Sequence, residues 1–114
     1  MKAVIALALI LACLMVATPA AGQVEGFAIV NQTGAALSNV AVRRVGDREW
    51  QPLTIAPAAG ASARVSFTNP DCAFDLRAAV AGAGTATWSG VNLCDVKSVT
   101  LNRDRSGRTW VDYE

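Results

Sequence analysis

The side chains able to do chemistry in this chain are carboxylates, arginines, three cysteines and three tryptophans; histidine is absent from all 114 residues. Without an imidazole base, nucleophile triads built on serine or cysteine are excluded, as are most catalytic zinc sites. Carboxylates remain. Asp71 and Asp75 fall on one face of an alternating segment, but four residues of strand hold them about 13 Å apart. That exceeds the roughly 6.5–9.5 Å used by an inverting glycosidase pair. Asp75 with Arg77 is expected to form an exposed ion pair worth about 0–1 kcal/mol. The run Asn102-Arg103-Asp104-Arg105-Ser106-Gly107 begins like a calcium loop, yet Tyr113 stands where a bidentate glutamate is needed and three arginines crowd the ligands. A hairpin turn is expected there, with no metal and no cofactor. Asn31-Gln32-Thr33 has the form of a glycosylation sequon and is read as a turn.

The cysteines are informative once the leading segment is set aside. Lys2 precedes an apolar run over residues 3–16, which contains Cys13, and Thr18-Pro19-Ala20-Ala21-Gly22-Gln23 supplies small residues for cleavage. Residues 1–22 are therefore read as a cleavable signal peptide; the run is shorter than a membrane span requires. Cys72 and Cys94 are then the only thiols left, and an oxidising compartment joins such a pair. They are not spaced Cys-x-x-Cys, and no histidine joins them, so a redox or metal role is disfavoured. Closing the loop between them contributes about 3.4 kcal/mol in the chain-entropy model. The expected location is the periplasm or the extracellular space.

Residues 23–114 suffice for a single small domain. Removing Lys2 leaves nine basic residues against nine acidic ones, and a neutral domain is a poor partner for nucleic acid or an anionic membrane. Trp50, Trp88 and Trp110 are expected mainly to pack, and the arginines of residues 103–108 to solvate a hairpin. Trp110 differs, because it shares a face with Arg108 and Asp112. An aromatic on the polar face of a terminal strand marks a contact. Trp110 and Arg108 are thus the binding candidates.

These residues are positioned by short alternating segments. Ala63, Val65 and Phe67 alternate with polar neighbours, and Cys72, Phe74, Leu76, Ala78 and Val80 do the same, which is the period of a half-buried strand. Further strands are expected over residues 26–31, 38–43, 85–88, 97–102 and 108–113, punctuated by turn residues. Val91 and Leu93 share a face that Cys94 cannot share in a regular strand, so a strand end or bulge is expected at Cys94-Asp95. The fold class is all-β: one antiparallel sandwich or open barrel of about seven short strands.

Phe27-Ala28-Ile29-Val30-Asn31-Gln32-Thr33-Gly34, Cys72-Ala73-Phe74-Asp75-Leu76-Arg77 and Trp88-Ser89-Gly90-Val91-Asn92-Leu93-Cys94 together resemble a family of small exported bacterial proteins of uncharacterised function. The resemblance runs from Phe27 to Leu101. It implies export and a bonded cysteine pair, and no activity. The function expected is a small binding or interaction module for a protein, glycan or envelope component, without catalysis. The alternative is an inhibitor of a secreted or periplasmic hydrolase, for which residues 56–60, with Pro57, offer the one candidate loop.

Overall fold

The computed structural model describes residues 23–114; the expected signal peptide, its cleavage point and Cys13 lie outside the described residues. Eight strands follow one another: β1 (Val24–Gln32), β2 (Leu37–Arg44), β3 (Gln51–Pro52), β4 (Ser62–Asn69), β5 (Ala73–Val80), β6 (Gly84–Asn92), β7 (Ser98–Arg103) and β8 (Thr109–Tyr113). They form two four-stranded sheets, ordered β4-β1-β7-β8 and β3-β2-β5-β6. The all-β sandwich expected from the alternation is what forms, and each of the seven anticipated strands is present within a few residues. Two details exceed the pattern. The eighth strand, β3, has only two residues, too few to show a period, and Pro52 suits its edge position because proline cannot donate to a ladder. The pairing of β1 with β7 is parallel, since the whole second sheet is traversed between them.

The inward positions meet in one core. Phe27 and Ile29 of β1, Val99 and Leu101 of β7, Leu76 of β5 and Trp88 of β6 are all essentially inaccessible, and Phe67 meets Phe74 edge-on across the sheets at 5.4 Å. Cys72 and Cys94 form the disulfide, with Cα atoms 5.0 Å apart and 22 residues of separation. It ties the start of β5 to the chain leaving β6. That chain departs at Asn92, where Cys94 N–H donates to Asn92 Oδ1 at 2.9 Å and Asp95 takes a positive φ of 57°. The irregularity expected at Cys94-Asp95 is therefore a strand end.

One seam of the sandwich is stitched and the other is open. Between β6 and β8, Thr109 Oγ1 donates to the Thr87 carbonyl at 2.8 Å, and Asn92 N–H donates to the Tyr113 hydroxyl at 3.0 Å. Nearby, the Trp88 indole donates to the Asn102 carbonyl at 2.9 Å, satisfying the one polar atom of a core aromatic. Between β3 and β4 lies a cleft of about 280 Å³ instead, lined by Leu53, Ile55, Val65 and Phe67 among others.

Candidate binding faces

On the outer face of the β2–β5–β6 sheet, Asp75 is 6% exposed, which corrects the expectation of an exposed pair with Arg77. The cause lies in two neighbouring strands. Arg43 is directly opposite Asp75 in the β2–β5 register, and its Nε donates to Asp75 Oδ2 at 3.0 Å. On the other side the β5–β6 register slips by one residue between Phe74 and Leu76. The bulge turns the Gly90 N–H toward Asp75 Oδ1, 3.0 Å away. Gly90 has φ +65°, a conformation glycine adopts without the strain a side chain would bring. Arg77, freed from Asp75, lies over Trp50 with its guanidinium carbon 4.2 Å from the ring centroid. Arg43 lies over the same ring at 4.4 Å. Ala41, opposite Arg77 in the register, is buried although it points away from the core. This face is covered by its own side chains.

The motif segments of the sequence acquire a structural meaning here. Cys72 and Cys94 bond each other, Asp75 caps the bulge at Gly90, Arg77 stacks on Trp50, and Trp88 and Leu93 fill the core. Each of these residues maintains the sandwich.

At the adjoining end of the sandwich, a cleft of about 170 Å³ is lined by Arg43, Arg44, Asp47, Glu49 and Asp71 beside Phe67 and Phe74. Arg44 bridges Asp71 at 3.2 Å and Asp47 at 3.6 Å. The hydrogen bond that Arg44 donates to Asp71, with the nearby charge of Asp47, raises the Arg44 pKa above its ordinary value. Two of the three carboxylates are thereby matched to a cation. Among the described residues, no group of three or more cysteine or carboxylate side chains is placed to hold a metal ion.

The hairpin joining β7 to β8 carries the residues singled out in the sequence. Its turn is organised by Asp104, whose Oδ1 accepts from Ser106 Oγ at 2.6 Å, Ser106 N–H at 2.9 Å and Arg108 N–H at 3.0 Å. These donors, the Ser106 hydroxyl foremost, hold the Asp104 carboxyl below its usual pKa. Of the oxygens read as the start of a calcium loop, Asp104 Oδ1 and Ser106 Oγ serve the turn. Arg108 emerges exposed at the mouth of the hairpin, and Trp110 follows on the outer face of the β1–β7–β8 sheet, 42% exposed. Trp110 is in register with Asn102 of β7, and Asn102 with Gln32 of β1. The next row toward the middle of the sheet is Asp112, Thr100, Val30 and Ser62. Sequence reasoning found Trp110 and Arg108 but missed Gln32 and Asn102, because their adjacency depends on the parallel β1–β7 pairing.

Residues 56–60 lie flat. Asn31 is fully buried and its Nδ2 donates to the carbonyls of Ala35, Pro57 and Ala58 at 2.7, 3.0 and 3.2 Å. Backbone bonds from Gly60 N–H to Asn31 O and from Leu37 N–H to Pro57 O add to the fastening. The sequon asparagine is thus the clamp of a turn, with its amide inside the protein.

No family model matches this chain, and no curated protein matches it. Among solved structures it is similar to the NMR structure of a protein from Eubacterium rectale, with 17% identity over 78% of this chain and 86% of that one and a TM-score of 0.49. That likeness is too slight to bear on function.

Proposed function

We propose that the protein is an exported binding module whose contact surface is the outer face of the β1–β7–β8 sheet around Trp110, with Arg108 at its border. Trp110 is the observation that carries this reading. A large aromatic left 42% exposed on a sheet face retains apolar surface whose burial by a partner is favourable. Action in the periplasm or outside the cell is supported by the disulfide, by the signal-like residues 1–22 and by the resemblance to small exported bacterial proteins. Among the described residues, no helix is long and apolar enough to cross a membrane. The inhibitor alternative needs a projecting loop, and the fastening of residues 56–60 with Pro57 buried favours the sheet-face reading over it.

The test is capture from an envelope extract by the immobilised, oxidised protein, alongside Trp110→Ala and Trp50→Ala. A ligand retained by wild type and Trp50→Ala but lost by Trp110→Ala is the expected result. Equal retention by Trp110→Ala would sink the assignment of this face.

A further inference from the structure

Resting on that reading, we infer that the Trp110 face takes a saccharide chain without net charge, one sugar ring stacking on the Trp110 indole while hydroxyls of a ring two along reach Gln32. Three features of the face lead there. The first is the free hydrogen-bonding inventory. Asn102 Nδ2 is held by Asp112 Oδ2 at 3.0 Å, which fixes the amide plane and leaves its Oδ1 to accept. Gln32, on an exposed strand end, offers a carbonyl and an amide, and the Trp110 Nε1–H offers a further donor. Saccharide hydroxyls both donate and accept, so a surface presenting both kinds of group suits them better than it suits an anion or a cation.

The second is geometry. Trp110, Asn102 and Gln32 stand on three successive strands, so the backbones that carry Trp110 and Gln32 are about 9.6 Å apart, two interstrand spacings. Adjacent sugar rings in an extended chain advance by a distance comparable to one such spacing. Thr100 and Val30, the residues beside this row, are too short to obstruct a chain laid across the strands. The third is charge. In the Trp110 and Asp112 rows the one ionised side chain is Asp112, engaged with Asn102, and Arg108 stands outside them at the border of the face. The C–H face of a pyranose against the negative face of an indole gives an attraction that needs no charge.

The experiment is protein-observed NMR of the oxidised protein titrated separately with cellotetraose, chitotetraose and maltotetraose, with a heparin-derived tetrasaccharide as the anionic comparison. The expected result is a saturable shift of the Trp110 indole N–H and the Gln32 side-chain amide with at least one of the three neutral chains, tighter than with the anionic one. Trp110→Ala should weaken it about tenfold or more, Gln32→Ala about threefold, and Trp110→Tyr should restore most of it. Circular dichroism of each variant confirms that the fold is kept. Tighter binding of the anionic chain, shifts centred on Trp50, or no saturable shift with any neutral chain would overturn the inference. If a protein is nevertheless captured through Trp110 from the envelope extract, the sheet-face function stands and only the saccharide assignment falls.

Discussion

Trp50 and Trp110 each lie on the outer face of one sheet of the same sandwich, yet they have opposite surroundings. Trp50 meets two guanidiniums at 4.4 and 4.2 Å, one belonging to a residue that also neutralises buried Asp75. Trp110 has as its cross-strand neighbour Asn102, a short amide tied to Asp112, and keeps 42% of its surface in solvent. The difference lies in what the neighbouring strands reach across with. Long arginine side chains on β2 and β5 fold over one indole, and their stems cover apolar surface while their charges stay wet. Across from the other stands only the short Asn102, and Arg108 lies at the border of that face. One tryptophan is part of the fold's fastening; the other remains free for a contact.

Changes on the fastened side should cost stability, and the largest loss is expected from the staple of that sheet. Replacing both Cys72 and Cys94 by alanine should lower unfolding free energy by about 2–5 kcal/mol. Urea melts of the double variant and of reduced wild type should shift together; equal midpoints for oxidised and fully reduced protein would contradict the role given to the bond. Asp75→Ala comes next. It strands the Arg43 guanidinium and the Gly90 N–H and is expected to cost about 2–3 kcal/mol, with Gly90 losing hydrogen-exchange protection ahead of its β6 neighbours. Uniform loss of protection along β6 would mean that Asp75 does not act through the bulge.

Trp50→Ala removes two cation–π contacts, each worth about 0.5–1 kcal/mol; a loss of about 1–2 kcal/mol in thermal or chemical melts is expected, with capture of the envelope ligand unchanged. The smallest stability effect belongs to Trp110→Ala, within about 0.5 kcal/mol, joined to the largest effect on binding. A Trp110→Ala variant as destabilised as Trp50→Ala would erase the distinction between the two faces.

Much of this arrangement is legible before any coordinates. The alternation of Ala63, Val65 and Phe67, and of Cys72, Phe74, Leu76 and Ala78, sets which side chains face inward, because successive residues of a strand point to opposite sides. Turn residues divide seven of the eight strands, and the mismatch of Leu93 and Cys94 locates a strand end. Asp75 shows the limit of such reasoning. Its alternation correctly points it outward, but its burial comes from Arg43, thirty-two residues earlier, and from the Gly90 N–H brought round by a bulge in β6.

By itself, then, the sequence determined the local terms: extended segments, their two faces, the turns between them, the paired cysteines and the absence of an imidazole base. These depend on neighbours a few residues away and on composition. The tertiary structure alone decided which strands lie side by side: β1 parallel to β7, β3 at an edge, Arg43 beside Asp75, and Gln32 in line with Asn102 and Trp110. Register between distant strands is chosen by how well the whole core packs, since a slip of one residue would turn every inward side chain of a strand outward. For that reason Trp50 is covered and Trp110 is bare, although both stand among polar residues in the chain.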